Sequence, residues 1–382
     1  MGLSELTRNA VGVLPAGELE RKLELDRPLR VKLGIDVTAP DVTLGNGIPL
    51  QRMAAFQREG HTGVLIVGDY TTRIGDPSGR KTLRPMIDPA EIDRNAQKFF
   101  DDASTIIDPA RTELRFNSEW LGKLDFAEIL RLTRTTTVAR MLERDDFAKR
   151  FAAKEPISIS ELLYPMMQAY DSVAVKADIE LGGTDQTYNL LMGREVMQAY
   201  GLEPQVALTV AYLDSWDGTG MSASRGNYIG LKEPPEEQFG KAMRIPDALL
   251  DQWYRLVMER DGAPAGDPME AKLELARFIV GRAWGEDGMR AAEEHFTRVV
   301  RHGEAPDEVP EHPLPAGDPV HLPALLADAF GLSTSEARRL IAQHGVKLDG
   351  EVVGDLDLPR GRLAGQVLQA GKRRFVRLNE AT

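Results

Sequence analysis

Residues 30–36 read RVKLGID, and this stretch decides the fold together with residues 44–47 and 63–68. Its apolar content predicts a strand that ends near Gly34. Residues 44–47, LGNG, open a segment whose apolar residues recur at helical spacing, and residues 63–68, GVLIVG, form a continuous apolar run. Strand, helix and continuous apolar strand in this order predict a parallel sheet buried on both faces. The turn after the first strand of such a sheet is a common phosphate site, so we predict a nucleotide-binding α/β domain.

Helical patterns and Pro-rich segments divide the rest of the chain. Residues 89–155 are mostly helical in pattern and predict an insertion, after which the β-branched stretch 206–210 resumes the sheet. A Pro-rich segment separates a further helical stretch from a tail with a capping-box pair, Ser333 and Glu336, and short strands with glycine turns. We therefore predict an α/β domain with a Rossmann-like parallel sheet at residues 1–235 and a helical insertion at about 89–155, a helical domain at 236–304, a linker at 305–320 and a small C-terminal α+β domain at 321–382.

Composition limits the classes of function. The chain has 382 residues, a formal net charge of −12 and no cysteine, which excludes disulfides, thiolate metal ligands and a cysteine nucleophile. The six histidines show no HxxxH or HExxH spacing, so we predict no protein-bound metal. No run approaches the roughly 20 apolar residues of a membrane span, and the first residues lack the basic-then-apolar order of a secretory signal. We therefore expect a cytoplasmic protein with no membrane partner.

Four constellations carry the candidate chemistry. Residues 34–46, GIDVTAPDVTLGN, place a glycine at a strand end before a helix start, where a ligand can approach the backbone and free N–H groups attract phosphate. Residues 75–80, GDPSGR, and residues 182–186, GGTDQ, have the composition of turns. The fourth constellation is a set spaced i, i+4 and i+7 on one face of a helix, namely Tyr164, Gln168 and Asp171. Taken singly, each is typical of an ordinary turn or a solvated helix face.

In this order, and with their flanking sequence, the four constellations resemble one family. The similar stretches are residues 61–80 (HTGVLIVGDYTTRIGDPSGR), 138–147 (VARMLERDDF), 161–196 (ELLYPMMQAYDSVAVKADIELGGTDQTYNLLMGREV) and 227–231 (NYIGL). They are similar to the bacterial tyrosyl-tRNA synthetases, and the similarity extends over nearly the whole chain. The resemblance implies that the α/β domain is a class I synthetase catalytic domain, that the helical domain is anticodon-binding-like, and that the tail is an S4-like RNA-binding domain.

The resemblance implies an amino-acid site. In the family, the residues matching Asp76, Tyr164 and Gln168 hold the α-amino group of the substrate. The residue matching Asp171 accepts a hydrogen bond from the substrate phenol, and the one matching Gln186 helps to position the carboxylate. All five are present here. A phenol against a buried carboxylate makes a strong charge-assisted bond, and a cationic amine requires acceptors, so tyrosine or a close analogue is the expected ligand.

The resemblance also implies an ATP site, with Mg²⁺ bound to the nucleotide. In the family the phosphates lie near the end of the first strand and the start of the next helix, and the ribose lies near the GGTDQ turn. The residues assigned to the nucleotide are Gly34, Asp36, Thr38, Gly45, Gly183, Asp185 and Met221.

Two catalytic signatures of the family are altered. The HIGH signature reads TLGN, so Thr43 replaces the first histidine and Asn46 offers an amide donor at the last position. The KMSKS signature reads GMSAS at residues 220–224, which retains Ser222 and Ser224 but neither lysine. In the family these donors stabilise charge on the pyrophosphate in the transition state, and the loss of one such donor typically costs about 3 to 4 kcal/mol. The four side chains named here are the candidate catalytic residues.

Basic residues outside the signatures have two interpretations. Arg225, Lys81 and Arg84 replace the missing charge, or they are surface charges or RNA contacts. Residues 321–382 contain nine Lys and Arg against seven Asp and Glu, and the S4-like resemblance implies that this tail contacts RNA. The candidate phosphate contacts are Arg338, Arg339, Lys347, Lys372, Arg373, Arg374 and Arg377. A solvated charged surface is the alternative.

Three functions are consistent with the sequence. The first is a tyrosine–tRNA ligase that makes tyrosyl-adenylate from tyrosine and ATP and transfers it to tRNA. The second is a diverged paralogue that uses tyrosine or an analogue in another ligation, and the third is a non-catalytic protein that binds tyrosine, its adenylate or RNA. The intact amino-acid site and the tail favour the first, whereas the altered signatures favour the other two. We take the ligase as the leading hypothesis, with a homodimer through the catalytic domain implied by the resemblance.

Overall fold

The structure is a computed structural model that describes residues 2–37, 41–73, 88–302, 309–371 and 374–379. The chain divides into two compact units. The first comprises Met1–Glu233 and Lys241–Ala283, and the second comprises Pro234–Gly240 and Trp284–Thr382. Among the described residues, no helix combines the length and the apolar character that crossing a bilayer requires.

A six-stranded sheet forms the centre of the first unit. Its strands are β1 (Ala10–Leu14), β2 (Arg30–Ile35), β3 (Thr62–Val67), β4 (Thr112–Phe116), β5 (Ile179–Gly183) and β6 (Val206–Val210). The spatial order is β1-β6-β5-β2-β3-β4, and all neighbours are parallel except β1 and β6. Apolar residues along β3 and β6 are buried on both faces, as expected of a parallel sheet. The strands predicted near residues 30–36, 63–68 and 206–210 are confirmed.

Helices alternate with these strands. The predicted helix after β2 is confirmed as α3 (Leu44–Arg58), which packs against β2, β3 and β5. The other helices between residues 2 and 199 are α1 (Leu3–Leu6), α2 (Glu18–Leu23), α4 (Pro89–Ala103), α5 (Ser118–Leu121), α6 (Phe126–Thr133), α7 (Val138–Met141), α8 (Asp145–Ala152), α9 (Ile159–Val175) and α10 (Thr187–Ala199). α9 and α10 pack along each other and against the central strands.

Strand β4 lies inside the interval predicted to be a helical insertion. It pairs in parallel with β3, from Gly63 opposite Thr112 to Val67 opposite Phe116. The sheet therefore continues through this interval, and α4 is a helix between two neighbouring parallel strands. The predicted helical insertion is therefore reduced to α5–α8, which lie between β4 and β5 in the sequence. Each residue of β4 is partly exposed at the sheet edge, so the strand has no continuous apolar run to reveal it.

Residues 235–295 are mainly helical, as predicted. The helices are α11 (Pro235–Ala242), α12 (Leu250–Leu256) and α13 (Pro268–His295), and a π-helical segment Phe296–His302 follows. One residue inside α13 is not helical, Gly285, with a φ of 73° that glycine adopts without steric cost. The assignment of residues 236–304 as an anticodon-binding-like domain of their own stays a prediction.

The second unit contains the small α+β fold predicted for the tail. A five-stranded sheet, a two-stranded sheet and three helices enclose one apolar core, in which Leu322, Leu326, Leu363, Leu368 and Leu378 are fully buried. The elements are β7 (Glu311–Pro313), β8 (Val320–His321), α14 (Leu322–Phe330), α15 (Thr334–Ala342), β9 (Val346–Leu348), β10 (Glu351–Val352), β11 (Asp357–Leu358), α16 (Arg360–Leu363), β12 (Val367–Ala370) and β13 (Arg374–Asn379). The predicted capping box is confirmed, because Ser333 and Glu336 bond each other's backbone N–H at the start of α15.

Part of the predicted linker is a strand. Within residues 305–320, strand β7 pairs in parallel with β13, with Glu311 opposite Arg377 and Pro313 opposite Asn379. The sheet of the second unit therefore includes residues before 321. An edge strand tolerates proline because its outward N–H groups are not needed for pairing, so a Pro-rich segment here does not indicate a plain linker. Residues 303–308 of the same interval lie outside the described part of the chain.

Candidate active site

A cavity of about 320 Å³ opens at the carboxyl ends of β2, β3, β5 and β6, beside the start of α3. β3 lies on one side of β2 and β5 on the other, so the cavity sits where the strand order reverses, the usual binding crevice of an open α/β sheet. Twelve of the predicted site residues line it, namely Gly34, Asp36, Thr43, Gly45, Asn46, Tyr164, Gln168, Asp171, Gly183, Asp185, Gln186 and Met221. The fold thus brings together constellations that are far apart in the sequence.

The remaining candidate residues of the first unit are not among those lining residues. Thr38 and Asp76 lie outside the described part of the chain, as do Lys81 and Arg84. Ser222 and Ser224 are described, and their hydroxyl oxygens are hydrogen-bonded to each other at 2.9 Å. Of the altered KMSKS signature, Met221 is the residue that reaches the cavity.

Asp171 is the most deeply buried carboxylate of the cavity, with 3% of its surface exposed. Trp120 Nε1 donates a hydrogen bond to Oδ1 at 2.8 Å, and Asn117 Nδ2 donates to Oδ2 at 3.4 Å. Burial raises the pKa of Asp171 to about 7, against the positive charge of Lys32 and these two bonds, which lower it. The carboxylate therefore has two neutral donors in place and remains an acceptor for a hydroxyl group of a ligand.

Asp36, directly after β2, is held in the cavity by two hydroxyl groups. Tyr164 Oη donates to Oδ2 at 3.0 Å, and Thr71 Oγ1 donates to Oδ1 at 2.9 Å. Gly68 makes this close approach possible, because an added Cβ there would lie 2.2 Å from Asp36 Oδ1 and 2.3 Å from Thr71 Oγ1. A carboxylate next to a phenol oxygen is rich in acceptors, so this part of the cavity suits an ammonium group.

Asn189 of α10 orients two glutamines of the cavity. Its Nδ2 donates to Gln168 Oε1 at 3.1 Å and to Gln186 Oε1 at 2.8 Å. Asn189 is almost fully buried, and Arg144 Nη1 donates to its Oδ1 at 3.3 Å. A carbonyl oxygen accepts two hydrogen bonds, so Gln168 Oε1 retains acceptor capacity beyond the bond from Asn189. Gln186 Nε2 donates to Asp185 Oδ2 at 2.9 Å, which extends this network to Asp185.

Thr43 and Asn46 form the N-terminal cap of α3. Thr43 Oγ1 donates to Asn46 Oδ1 at 2.8 Å and accepts from the backbone N–H of Asn46 at 3.2 Å. The hydroxyl proton of Thr43 is therefore used inside the cap, and Asn46 Nδ2 is the side-chain donor of the pair that remains for a ligand. The first turn of α3 has no acidic residue, so its N–H groups and helix dipole attract an anion at the cavity.

The loop from Asp214 to Asn227 holds its shape through its own polar groups. Asn227 Nδ2 donates to Asp217 Oδ2 at 3.0 Å and to Thr219 Oγ1 at 3.0 Å, and Asn227 Oδ1 accepts from the N–H of Ser222 at 3.0 Å. These contacts close the loop on itself without a lysine. Arg225, considered above as a replacement cation, donates to the carbonyl oxygen of Gly220 at 3.2 Å, within the loop.

The segments next to the two altered signatures are joined. The N–H of Leu44 donates to the carbonyl oxygen of Ile229 at 2.8 Å, and Tyr228 Oη donates to Asp41 Oδ2 at 2.6 Å. This bond lowers the pKa of Asp41 and raises the pKa of Tyr228 to about 12. The pair is therefore an ionised carboxylate and a neutral phenol at neutral pH, which keeps the loop end beside the start of α3.

The cavity is acidic in the part of the chain that the structure describes. Its lining there contains Asp36, Asp171 and Asp185 and no lysine, arginine or histidine. The described residues also contain no group of three or more histidine, aspartate and glutamate side chains arranged to hold a metal ion. Positive potential for a phosphate group comes instead from the start of α3.

Several residues of the cavity were not predicted from the sequence. Gly68 and Thr71 follow β3 within the stretch that carries the family resemblance, so their place after a buried strand was an available signal. Asn117 follows β4, the edge strand without an apolar run, and Trp120 and Asn189 act through neighbouring side chains. No local pattern marks these last three, because their roles depend on which elements meet in space.

The candidate RNA contacts of the second unit are on its surface. Arg338 and Arg339 are exposed on α15, and Arg339 lines a surface groove with Arg374 and Glu336. Lys347 is partly exposed on β9, and Arg377 is exposed on β13. Lys372 and Arg373 lie outside the described residues.

A family model for the class I tRNA synthetases of the tryptophan and tyrosine type matches residues 24–300. The chain belongs to this synthetase family. The curated tyrosine–tRNA ligase of Moorella thermoacetica is 48% identical to it over 391 residues, which cover 98% of this chain and 94% of that enzyme. The tyrosine–tRNA ligase of Geobacter sulfurreducens is 47% identical over 395 residues and 98% of each chain. The resemblance to the bacterial tyrosyl-tRNA synthetases is confirmed.

Solved structures of synthetases agree with the fold over about three quarters of the chain. A tyrosyl-tRNA synthetase from Archaeoglobus fulgidus in complex with L-tyrosine matches with a TM-score of 0.62 at 23% identity and covers 76% of this chain and 98% of its own. A truncated mitochondrial tyrosyl-tRNA synthetase from Coccidioides posadasii matches with a TM-score of 0.61 at 22% identity, covering 77% and 90%. These matches confirm the α/β synthetase fold.

Proposed function

We propose that this chain is a tyrosine–tRNA ligase, which activates tyrosine with ATP and transfers the tyrosyl group to tRNA. The observation that supports the proposal is the cavity, which is lined by Tyr164, Gln168 and Asp171 of α9 together with residues at the ends of four strands. Relatives named tyrosine–tRNA ligase align with 98% of the chain, which supports this activity over a different ligation or a binding role.

The amino acid would lie along α9. Tyr164 and Asp171 are seven residues apart on this helix, or about 10 Å along its axis, which leaves room for a tyrosine between the two side chains. Asp171 would accept a hydrogen bond from the substrate phenol, and the acceptors around Asp36 and Tyr164, with Gln168 Oε1, would receive the ammonium group. Gln186 would help to position the carboxylate.

ATP would place its phosphates at the start of α3. The helix N-terminus and Asn46 Nδ2 supply donors there, and Asp185 is exposed where it can accept bonds from ribose hydroxyls. No described atom lies within 4 Å of a Cβ added at Gly34, so this glycine leaves space for a ligand. Mg²⁺ would enter as the MgATP complex, because the described residues contain no group of three or more side chains that could hold the ion by themselves. When bound, the ion would neutralise phosphate charge.

The reaction has two group transfers. A carboxylate oxygen of tyrosine attacks the α-phosphorus of ATP, and the bond from that phosphorus to the pyrophosphate oxygen breaks. A ribose hydroxyl at the 3′ end of tRNA then attacks the tyrosyl carbonyl carbon, and AMP leaves. Asn46 and the start of α3 stabilise phosphate charge in the first transfer. With Thr43 committed to the helix cap and no lysine in the loop, we expect the first transfer to be slow compared with that of an enzyme having both signatures intact.

The proposed partners are tRNA and a second copy of the chain. The exposed arginines on α15 would contact RNA phosphates, which is the role implied for an S4-like domain. Large apolar side chains are exposed on α6–α9, where Phe126, Val138, Phe151 and Ile159 are each more than 60% exposed. Exposed apolar groups of this size favour a protein interface, which supports a homodimer through the catalytic domain. A cytoplasmic location, where tRNA and ATP are both present, belongs to the same proposal.

The test is tyrosine-dependent exchange of labelled pyrophosphate into ATP, with charging of tRNA measured in parallel. Gln168→Ala should lower the exchange rate at least tenfold, because the amino acid loses an acceptor. Arg339→Glu should leave exchange intact and lower charging, with a loss that grows with salt concentration. Arg94→Glu, which makes the same charge change on the exposed side of α4, is the matched control and should affect neither.

The outcomes separate the three functional hypotheses. Exchange followed by charging supports the ligase. Exchange without charging of any tRNA would favour a paralogue that uses the adenylate in another ligation. Tyrosine binding by calorimetry in the absence of exchange would contradict the ligase and favour a binding protein.

A further inference from the structure

Lys32 is an ammonium group buried inside the sheet, next to the cavity but not part of its lining. It lies in the middle of β2 and has no exposed surface. Its Nζ donates three hydrogen bonds, to the carbonyl oxygen of Gln168 at 2.9 Å, to Ser172 Oγ at 2.8 Å and to Glu180 Oε1 at 2.7 Å. An ammonium group has three donors, so all of its hydrogen-bonding capacity is used.

Glu180, the partner of Lys32 on β5, is equally well bonded. Its Oε2 accepts from Ser172 Oγ at 2.9 Å and from Gln205 Nε2 at 2.7 Å. Gly193 admits the amide of Gln205, because an added Cβ at Gly193 would lie 2.4 Å from Nε2. A buried ion pair of this kind adds little stability over a well-packed apolar pair, since desolvation offsets the attraction. The main contribution of the ion pair is therefore to hold other groups in position.

The groups that Lys32 holds belong to one turn of α9. The carbonyl of Gln168 and the hydroxyl of Ser172 are at either end of the turn that carries the side chains of Gln168 and Asp171 into the cavity. β2 and β5 are neighbours in the sheet, so the ion pair links both strands to this turn. Movement of this turn would displace the amino-acid determinants, Gln168 and Asp171, together.

Lys32 is also the positive charge that acts on Asp171. Burial raises the pKa of the Asp171 carboxyl, Lys32 opposes this, and Glu180 adds to it. The groups that act on Asp171 are Lys32 from β2, Glu180 from β5, and Asn117 and Trp120 after β4. The guanidinium of Arg115 lies 5.4 Å from the centre of the Trp120 ring and is hydrogen-bonded to Glu119. Of these two cations, Lys32 is the one with a resolved effect on the carboxyl.

We propose that Lys32 is a positioning residue for the phenol end of the substrate. It fixes the Gln168–Ser172 turn against β2 and β5, and it supplies the charge that keeps Asp171 available as a carboxylate acceptor. This inference rests on the proposed function, because it assigns the phenol of tyrosine to Asp171. It predicts that removing the ammonium group weakens tyrosine binding in a way that depends on pH.

The experiment measures the tyrosine dissociation constant by calorimetry between pH 5.5 and 8.5, in the unaltered protein and in Lys32→Met/Glu180→Gln. The double change avoids leaving one buried charge without its partner. The unaltered protein should lose affinity as pH falls below about 7, the value at which Asp171 takes up a proton. In the double variant this loss should begin at higher pH, because Lys32 lowers the pKa of Asp171 more than Glu180 raises it. A shift of one pH unit would weaken the affinity about fivefold at pH 7, with recovery at pH 8.5. The KM for ATP in pyrophosphate exchange should not change.

Two further variants keep the test decisive. Lys22→Met removes another lysine that is 1% exposed, whose Nζ donates to the carbonyl oxygen of Pro204 at 2.8 Å outside the cavity. It should leave the pH dependence of tyrosine binding unchanged. Glu180→Gln alone leaves Lys32 bonded to the Gln168 carbonyl and the Ser172 hydroxyl but without its carboxylate, so its folding is checked first by circular dichroism. Because the change removes a charge that raises the pKa of Asp171, the affinity loss should begin at lower pH than in the unaltered protein. A structural defect would not move the pH of the affinity loss upward in Lys32→Met/Glu180→Gln and downward in Glu180→Gln.

A pH dependence that is the same in all folded variants would overturn the role of Lys32 while leaving tyrosine binding in place. Equal weakening at every pH would also overturn the electrostatic part, because a displaced turn alone does not titrate. If the unaltered protein bound no tyrosine at any pH, the proposed function itself would fail, and the role of Lys32 with it.

Discussion

The buried carboxylate of Asp171 makes the stability of the ligand-free protein depend on pH. Burial raises its pKa to about 7 from an ordinary value of 3.8. Between these two values the folded chain keeps a proton that the unfolded chain releases, so the free energy of unfolding falls as pH rises. Three pKa units correspond to roughly 4 kcal/mol, which is a large part of the stability of a typical domain.

Asp171→Asn should remove this pH dependence. Urea unfolding at pH 5 and pH 8 should show the stability difference shifting in favour of the variant by about 3 kcal/mol between the two conditions. The variant should also lose tyrosine-dependent exchange. Asp178→Asn is a control of opposite sign: burial raises the pKa of Asp178, but bonds from Arg27 and from the N–H of Arg30 outweigh burial and leave it below 3.8. That variant should lose nearly the same stability at pH 5 and pH 8, because both values lie above the pKa of this carboxyl in the folded and the unfolded chain. An equal effect of Asp171→Asn at both pH values would contradict the buried charge.

The loop from Asp214 to Asn227 is an element whose shape does not require the lysines that are missing from it. Its closing bonds come from Asp217, Thr219 and Asn227. A Cβ added at Gly220 meets no described atom within 4 Å, and Ala223 is only half-buried. Both positions therefore have room for a longer side chain, so the loop can carry charge without being rebuilt.

Gly220→Lys/Ala223→Lys should raise the rate of pyrophosphate exchange at least tenfold, with the KM for tyrosine unchanged. The added cations would act on charge that develops on the pyrophosphate in the transition state. Steady-state exchange kinetics provide the measurement, and Ala110→Lys/Ala291→Lys, at two exposed positions away from the loop, controls for net charge. An unchanged rate would mean that other groups already stabilise the charge on the pyrophosphate.

For the whole molecule, the exposed apolar side chains of α6–α9 favour assembly of two copies. Light scattering should give a mass of twice the 42.2 kDa of one chain. Val138→Glu/Phe151→Glu should be a monomer, because a charge at these positions opposes burial between two copies. Its circular dichroism spectrum should be unchanged, because both side chains are exposed in the single chain. Met269→Glu, at an apolar residue that is 41% exposed elsewhere, should leave the mass unchanged. A one-chain mass for the unaltered protein would refute the homodimer.

Strong local patterns predicted much of the fold. β3 and β6 are continuous apolar runs, α3 has helical spacing, and Ser333 with Glu336 has a capping signature, so each follows from neighbouring residues alone. β4 and β7 were missed because edge strands are short and partly exposed and tolerate proline, which removes the apolar run that marks a central strand. For the same reason, the prediction assigned the residues of β7 to a linker at 305–320 and not to the C-terminal domain.

The sequence by itself determined the parallel α/β sheet, the small α+β tail, the family and twelve of the residues that line the cavity. The tertiary structure decided what those residues do to one another. The buried partners of Asp171, the orientation of Gln168 and Gln186 by Asn189, and the ion pair of Lys32 with Glu180 join residues from different strands and helices. Periodicity records which side of its own element a residue faces, whereas a pKa or a hydrogen bond depends on the burial and charge contributed by the elements packed against it.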